Sequence, residues 1–583
     1  MKRPWNQPIS YRVVFMALAV LLVPQAASAA SSGKEQDNAQ VDKVFADLQK
    51  PGSPGCALGV FRDGQILYAK GYGLASVEVN APITPQTVFD IGSTSKQFTA
   101  SSIVLLEQQG KLSVNDDVHK YIPELPDYGH KITILNLLNH TSGLRDYLAL
   151  LPLSGVNEDS VTTDDDALAL IIRQKHLNFA PGSQWAYSNT GYFLLSVIVK
   201  RVSGMTLREF ASRNIFQPLG MTHTVVRNDH TLLIPYRALA YDPGENGGYK
   251  LNVSYFEQTG DGAVHTSVED LAKWDENFYS DQVGGKSFID EMQERGKLNN
   301  GKVLDYAKGL FIGQYRGLPT VSHEGAWGGY RAELMRFPRQ HFSVACLCNL
   351  GNINPDKRAR KVAEVYLGNL MKPDEIAKPQ AAISLTPAQM AALTGLYIDP
   401  ATGSAARILV AGGKVQLQIY GSTFELRAVS STQFLVAGVD AKIDFVLGNG
   451  AAHVSMTTGG LNLPAVTYQK SVQYEPSASA QAAYAGDFKS YELGAVYRLR
   501  VVAGKLMLVE ISDPSGIPRT GMPMPKMLQP TITDQFEIGD EGIAMQFLKN
   551  ANSDVTGFDL GGLGIRGIEF LRTTTMDNIP TTF

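Results

Sequence analysis

Apolar and polar positions follow one pattern up to about residue 372 and a different pattern beyond it. In the first part, helical and strand-like periods are mixed. The run at 92–109 places apolar side chains such as Phe98 and Ile103 near helical spacing, which predicts a buried amphipathic helix. The runs at 55–61 and 65–72 read as two strands joined by a tight turn that contains Gly64. Helices and strands are therefore both expected within residues 30–372.

Beyond residue 384, short alternating runs typical of strands dominate, and the sequence repeats itself. Residues 391–395 match residues 482–486, and residues 407–417 match residues 498–508, both 91 positions later. A repeat of this size built from short strands predicts two small antiparallel barrels, over residues 385–475 and 476–583. The stretch 373–384 contains two prolines and few large apolar residues, so it is interpreted as a linker.

The first 29 residues have the pattern of an export signal. Lys2, Arg3 and Arg12 precede an apolar run at 13–23, and Ala27-Ser28-Ala29 supplies the small residues of a cleavage site. The apolar run is short for a membrane span, so a stable span is not expected, although an uncleaved anchor remains the alternative. We expect an exported protein, periplasmic or secreted.

Composition and charge narrow the possible functions. A chain of 583 residues predicts several domains, and its formal charge of −4 gives no basic footprint for nucleic acid. The three cysteines do not form a disulfide framework; a bridge from Cys56 to Cys346 or Cys348 stays open, with buried thiols favoured. Neither C-x-x-C nor H-E-x-x-H spacing occurs, so no zinc site is predicted.

Ser93 and Lys96 form an S-x-x-K tetrad at the start of the predicted helix. The lysine lies about one turn from the serine on the same face, and a buried lysine can lose its proton near neutral pH and activate the hydroxyl. A capped helix with a surface lysine is the alternative. The same spacing at Ser31 and Lys34, in the predicted leader, shows that the tetrad alone is not specific.

Two further motifs follow along the chain. Tyr187-Ser188-Asn189 lies on a loop before a predicted helix, where a phenol beside a lysine can ionise more easily and relay a proton. Its alternative is an aromatic side chain packed on the core with a capping asparagine. His323-Glu324-Gly325 opens a series of strands, and its glycine would let a substrate backbone approach the strand edge. A structural histidine is the alternative there.

Together, S-x-x-K, Y-x-N and H-x-G in this order resemble the serine β-lactamase and penicillin-binding-protein superfamily. The phrases at 138–144 (LNHTSGL), 260–262 (GDG) and 265–274 resemble its class C β-lactamase-like branch, which includes serine D-aminopeptidases, DD-carboxypeptidases and esterases. The resemblance covers about residues 40–372. It implies a catalytic domain with an antiparallel sheet flanked by helices.

The resemblance also implies the roles of individual residues. Ser93 would be the acylated nucleophile, Lys96 its activating neighbour and Tyr187 the proton shuttle. Asn189, His323 and Gly325 would contact the substrate, and the backbone N–H groups of Ser93 and Ala326 would form the oxyanion hole. No metal or cofactor is implied.

This chain has His323-Glu324-Gly325 where most β-lactamases have K-T-G. A mostly neutral histidine lacks the fixed charge that attracts a substrate carboxylate, and Glu324 adds an acid beside it. The H-x-G sequence is similar to that of the D-aminopeptidases and esterases. The resemblance therefore implies a D-aminopeptidase-like hydrolase of small-molecule or peptide substrates, including peptidoglycan-derived ones. A carboxylesterase, a DD-carboxypeptidase, a β-lactamase and a non-catalytic binding protein are the alternatives.

A catalytic domain followed by two barrels resembles the architecture of the serine D-aminopeptidases. In that group a loop of the last barrel reaches the active site. The matching segment here is 514–530, which is rich in proline and methionine. An ordinary exposed hairpin loop is the alternative.

Overall fold

The computed structural model describes residues 37–157, 159–373, 383–437, 441–448, 454–460 and 463–573. The predicted export signal and nearly all of the predicted linker lie outside the described residues. Among the described residues, no helix has the length and apolar character needed to cross a membrane.

The first part of the chain is built on an antiparallel sheet in the strand order β10-β11-β12-β13-β1-β2. Shorter strands form the pairs β3–β4 and β7–β8 and the small sheet β5-β9-β6. The strands of this part are β1 (Cys56–Arg62), β2 (Gln65–Tyr72), β3 (Leu74–Ser76), β4 (Ala81–Pro82), β5 (Phe89–Asp90), β6 (Val225–Val226), β7 (Tyr241–Pro243), β8 (Tyr249–Leu251), β9 (Val264–Thr266), β10 (Phe311–Tyr315), β11 (Leu318–Trp327), β12 (Tyr330–Phe337) and β13 (Phe342–Cys348).

Helices cover both faces of this sheet, because its residues are apolar on both sides. One face packs on a core that includes Phe98 of α2 and Trp274 of α9, and the other packs on Val41 of α1 and Val362 of α11. The helices are α1 (37–44), α2 (Lys96–Gln108), α3 (Ile134–Leu138), α4 (Tyr147–Leu153), α5 (Asp164–Ile172), α6 (Asn189–Ser203), α7 (Leu207–Ala211), α8 (Gln217–Leu219), α9 (Val268–Ser280), α10 (Gly285–Met292) and α11 (Pro355–Leu367).

The structure pairs Cys56 with Cys348 in a disulfide and leaves Cys346 as a buried thiol. The expectation of buried thiols is therefore wrong for two of the three cysteines. The reason is the register of the sheet: β1 and β13 are antiparallel neighbours, and Cys56 lies directly opposite Cys348. The two cysteines are 292 residues apart in the sequence, so local spacing cannot predict that their strands are neighbours.

Two antiparallel barrels follow, as the repeat predicts. In the first, α12 (Pro387–Leu393) precedes strands that close from β14 round to β21. Its strands are β14 (Gly395–Ile398), β15 (Ala405–Ala411), β16 (Lys414–Ile419), β17 (Ser422–Ala428), β18 (Gln433–Val436), β19 (Ala441–Leu447), β20 (Val454–Gly460) and β21 (Leu463–Ser471).

The second barrel begins with α13 (Ala478–Tyr484) and closes through the pairing of its second and third strands, β23 and β24. The short strand β25 is attached to β24 outside the closed ring. Its strands are β22 (Gly486–Ser490), β23 (Ala495–Val502), β24 (Lys505–Ser512), β25 (Pro518–Arg519), β26 (Lys526–Pro530), β27 (Gln535–Ile538), β28 (Ala544–Lys549), β29 (Val555–Gly562) and β30 (Ile565–Arg572).

The two barrels start in the same way at the predicted offset. Gly395 and Gly486 each open the first strand after a short helix, and Lys414 and Lys505 each open the third strand. The fold class expected from the sequence is confirmed by this architecture. The domain limits at residues 372, 384 and 475 stay predictions.

Candidate active site

Ser93 lies in a tight 3-10 turn, Gly92–Ser95, that leads into α2, rather than in the first turn of the α-helix itself. Two glycines let the edge of β11 press against this turn. A Cβ on Gly325 would lie 1.9 Å from the carbonyl oxygen of Ile91, and one on Gly92 would lie 2.6 Å from the backbone nitrogen of Ala326. The backbones around Ser93 and Ala326 are therefore adjacent, as an oxyanion hole between them requires.

Lys96 is fully buried, and all three of its ammonium protons have acceptors. Its Nζ lies 2.9 Å from Ser93 Oγ, 2.9 Å from Asn189 Oδ1 and 2.7 Å from the carbonyl oxygen of Asp261. Burial lowers the pKa of Lys96 below its usual value, and the negative charges of Asp261 and Asp146 offset this shift only in part. The alternative of a surface lysine is excluded, and a neutral Lys96 can accept the Ser93 proton.

Tyr187 closes the other side of the site. Lys96 Nζ lies 4.8 Å from the centre of its ring, and its buried hydroxyl has no hydrogen-bond partner among the described residues. Burial raises the pKa of Tyr187 well above its usual value, and the nearby Ser93 hydroxyl offsets only part of this effect. Burial thus keeps the phenol protonated, and the relay of a proton by Tyr187 stays a prediction.

Asn189 begins α6 and holds Lys96 in place. Its Oδ1 accepts from Lys96, while its backbone N–H and its Nδ2 donate to Asp146 Oδ2 at 2.7 and 2.9 Å. Within the described part of the chain, one N–H of the amide has no protein acceptor. Binding of a substrate amide by Asn189 stays a prediction and would use this remaining N–H.

His323 is 1% exposed and already has a partner at each ring nitrogen. Nδ1 lies 2.6 Å from the Glu324 carbonyl oxygen, so it carries the proton, and Nε2 accepts from the Tyr306 hydroxyl at 3.1 Å. Burial, with the nearby Lys96 charge, lowers the pKa of His323 to about 3, so the ring is neutral. A hydrogen bond from His323 to a substrate stays a prediction that requires one of these partners to move.

Sequence reasoning assigned no role to Asp146, Tyr147 or Asp261. Asp146 caps α4 and binds Asn189, and the Tyr147 hydroxyl donates to Asp261 Oδ2 at 3.0 Å. The Asp261 carbonyl is the third acceptor of Lys96. Two features of the sequence could have pointed to these residues. One is an aspartate just before an apolar helical run, and the other is Gly260-Asp261-Gly262, to which sequence analysis assigned no function.

Two cavities meet at Ser93. The larger, of about 450 Å³, has an aromatic wall, and Glu324 is among its lining residues. Its lining residues include Trp185, Tyr187, Phe311, His323, Glu324 and Arg331. The smaller, of about 120 Å³, extends towards Asp90, Tyr147 and Asp261. A substrate can therefore place groups on both sides of the Ser93 hydroxyl.

The loop at 514–530 lies elsewhere, although the resemblance placed it at the active site. Arg519 Nη1 donates to the Ser154 carbonyl at 2.5 Å, and Gly521 N donates to the Gly155 carbonyl at 3.0 Å. Every residue of the loop is described, and none lines either cavity at Ser93. The expected contact is therefore wrong: these hydrogen bonds hold the loop at the end of α4.

Comparison with known proteins gives a consistent result. The sequence model of the family described as Beta-lactamase matches residues 41–368. The chain is 30% identical to penicillin-binding protein 4* of Bacillus subtilis (strain 168) over 413 residues, covering 67% of this chain and 89% of that protein. It is 28% identical to the D-aminopeptidase of Gluconobacter oxydans (strain 621H) over 392 residues, covering 67% and 71%.

Solved structures show the same fold. The octameric penicillin-binding protein homologue from Pyrococcus abyssi matches with a TM-score of 0.52 and 24% identity, covering 76% of this chain and all of that one. The D-amino acid amidase from Ochrobactrum anthropi SV3, complexed with L-phenylalanine, matches with a TM-score of 0.50 and 21% identity, covering 57% and 99%.

Proposed function

The chain belongs to the β-lactamase family and is a serine hydrolase, and we propose that it hydrolyses amides of D-amino acids that carry a free amino group. The reaction would pass through an acyl-enzyme on Ser93. The substrate would be a D-aminoacyl amide or a short peptide with a D-residue at its amino terminus.

In the proposed acylation step, Ser93 Oγ attacks the substrate carbonyl carbon as neutral Lys96 takes its proton over 2.9 Å. The negative charge on the carbonyl oxygen would be stabilised by the backbone N–H groups of Ser93 and Ala326. Tyr187, whose raised pKa keeps it protonated, would give its proton to the leaving nitrogen and recover one from Lys96. The bond to the amine then breaks, and the acyl group remains on Ser93.

Deacylation repeats these steps with water in place of the amine. Neutral Lys96 would take a proton from the attacking water, while the protonated Tyr187 would give one to Ser93 Oγ and recover it from Lys96. The second tetrahedral intermediate would use the same two backbone donors. Its collapse releases the free amino acid and restores the proton on Ser93 Oγ.

The observation that carries the choice of substrate is Glu324, an acid in the lining of the larger cavity. The carboxylate of Glu324 lines it without a hydrogen bond or ion pair from any described residue, while the neighbouring His323 is neutral. Glu324 is exposed to the solvent on β11, and the like charge of Asp356 acts on it. A substrate cation beside this acid would therefore be attracted by both carboxylates. An unpaired acid at this place favours a substrate ammonium beside it.

Three ionisable side chains lie around Glu324: Glu333, Arg360 and Arg331. Glu333 lies directly opposite on β12, and burial with the like charges of Asp356 and Glu324 raises its pKa well above the usual value, so it is neutral. Arg360, whose charge acts on Glu324, donates to both carboxylate oxygens of Asp356 at 2.8 Å. Arg331 also lines the cavity, and its Nη1 donates to the carbonyl groups of Gly328 and Tyr330.

The D-configuration and the location are proposed on separate grounds. A relative with the printed name D-aminopeptidase aligns over 392 residues, which supports a D-amino acid on the acyl side. The Cys56–Cys348 disulfide supports export to an oxidising compartment such as the periplasm, where peptidoglycan-derived peptides would supply D-amino acids. Esterase, DD-carboxypeptidase and β-lactamase activities use the same acylation groups and are the alternatives for the test.

Substitution of Glu324 by glutamine tests the ammonium contact. For D-alanine p-nitroanilide against its N-acetyl derivative, we expect wild-type kcat/KM to favour the free amine by about 10- to 100-fold, the size of one charged hydrogen bond. In Glu324→Gln the ratio should fall towards one, mainly through KM. Glu294→Gln, a change at an exposed glutamate away from both cavities, is the matched control. A wild-type preference for the acetylated substrate contradicts the proposal.

Substitution of His323 by lysine tests the alternative of a carboxypeptidase. The change places a cation at the wall of the larger cavity, where the wild-type ring is neutral. We expect kcat/KM to shift towards substrates with a free C-terminal carboxylate, relative to amidated ones, by about 1–3 kcal/mol. If wild type already prefers the free acid, a carboxypeptidase becomes the better assignment. An unchanged ratio would mean that residue 323 does not face that end of the substrate.

A further inference from the structure

Arg145 connects the first part of the chain to the second barrel through a buried ion pair. Its side chain is 0% exposed and that of Glu492 is 1% exposed, with Nη1 donating to Glu492 Oε1 at 2.5 Å. Nη2 donates to the carbonyl oxygens of Arg566 and Gly567 at 2.7 and 2.9 Å. Glu492 follows β22, and Arg566 and Gly567 belong to β30, so these three contacts are all with the second barrel.

The backbone of Arg145 is tied at the same time to the start of α6. Its carbonyl oxygen accepts from Thr190 Oγ1 at 2.7 Å, and the same hydroxyl oxygen accepts from the Tyr147 N–H at 2.8 Å. The segment Arg145–Tyr147 is therefore held by the barrel on one side and by α6 on the other. Asn189, which contacts Lys96, is the residue before Thr190.

The two residues after Arg145 are each connected to Lys96 through one intervening residue. Asp146 accepts from the backbone and amide nitrogens of Asn189, whose Oδ1 accepts from Lys96. Tyr147 donates to the carboxylate of Asp261, whose carbonyl oxygen accepts from Lys96. Two of the three acceptors around the ammonium are thus fixed through this one segment, and the third is Ser93.

We propose that the Glu492–Arg145 ion pair makes the second barrel a positioning element for Lys96, so that the barrel sets the rate of proton transfer from Ser93. Arg145 and Glu492 are positioning residues and contact no substrate. The barrel thereby acts on the site through the segment Arg145–Tyr147, in place of the loop contact that the resemblance implied. This inference concerns the serine hydrolase as such and does not depend on the proposed amide substrate.

Loss of the ion pair leaves one buried charge without its partner, which favours movement of the segment or entry of water. The Asn189 and Asp261 acceptors would then hold Lys96 less firmly at its distance from Ser93. The step affected is the transfer of the Ser93 proton, so kcat should fall while KM, which depends on the cavity walls, stays near its wild-type value.

The test compares full-length Glu492→Gln with wild type in two assays that do not need the natural substrate. One is the rate of Ser93 labelling by a fluorophosphonate, and the other is steady-state hydrolysis of p-nitrophenyl butyrate over a pH range. We expect both the labelling rate and kcat to fall by about tenfold or more, the size of a strong side-chain coupling, with KM within about threefold. Water near Lys96 should also move the acid limb of kcat/KM to higher pH.

Lys175→Met is the matched control at the same interface. Lys175 Nζ pairs with Glu569 Oε2 at 2.8 Å, and these side chains are 47% and 40% exposed, so the loss of this pair should change neither rate. Arg145→Lys keeps the buried positive charge with fewer donors and should give an intermediate rate. It serves as the test variant if circular dichroism shows that Glu492→Gln is unfolded.

Three results would overturn the inference. The first is a folded Glu492→Gln, or in its place a folded Arg145→Lys, with wild-type labelling rate and kcat. The second is a change in KM alone, which would indicate an effect on substrate access. The third is an equal loss in Lys175→Met, which would show that any disturbance of the interface slows the enzyme.

Discussion

Replacement of Ser93 by alanine is expected to lower kcat/KM by about 10⁴-fold or more for every substrate that the enzyme hydrolyses. Its hydroxyl oxygen is the atom held 2.9 Å from Lys96 Nζ, at the point where both cavities meet. Without this oxygen no acyl-enzyme can form, and binding alone supplies only a small residual rate. The measurement is steady-state hydrolysis of a D-aminoacyl anilide and of a p-nitrophenyl ester.

The fold should survive this substitution. The Ser93 hydroxyl accepts a hydrogen bond from Lys96 Nζ, and the loss of this contact costs about 1 kcal/mol. Intact-protein mass spectrometry after fluorophosphonate treatment should show one added group in wild type and none in Ser93→Ala. Ser188→Ala, beside Tyr187, is the control and should be labelled as wild type is. A label on any other residue of active protein would refute Ser93 as the nucleophile.

The sequence predicted those parts of the fold and the site that follow from short segments of the chain. The spacing of Ser93 and Lys96 follows from one helical turn, and the glycine of H-x-G marks a close approach of backbones that the Gly325–Ile91 contact now explains. The repeat at an offset of 91 predicted two barrels because each copy is a complete local unit. These signals need no knowledge of which distant segments meet.

The remaining features depend on contacts between distant segments. The disulfide follows from the pairing of β1 with β13, and the link from Glu492 to Arg145 joins residues 347 positions apart. The high pKa of Tyr187 depends on how completely other elements bury its hydroxyl. The family resemblance identified candidate residues of the site. It also implied that the loop at 514–530 contacts the active site, and the structure does not show this contact.

Lys96→Met is expected to reduce kcat/KM by about 10³-fold, within the usual range for loss of a general base. The sign of the pH effect follows from the direction of the shift. Burial lowers the pKa of Lys96, so its neutral, proton-accepting form becomes populated at a lower pH than in an exposed lysine. In wild type, kcat/KM should therefore rise with pH through this lowered pKa and then level off. In Lys96→Met the rise should be absent, because no lysine titrates there.

Lys96→Arg separates the charge of this residue from its role as a base. Arginine keeps the positive charge opposite Asp146 and Asp261 but does not lose its proton in the working pH range. If the lysine acts only as a fixed cation, Lys96→Arg should retain most of the rate; if it acts as a base, the variant should be as slow as Lys96→Met. We expect the second result. In Lys96→Ala, added methylamine should restore part of the rate, increasingly as pH rises and more of the free amine is present. An acid limb that persists unchanged in Lys96→Met would assign the titrating base to another residue.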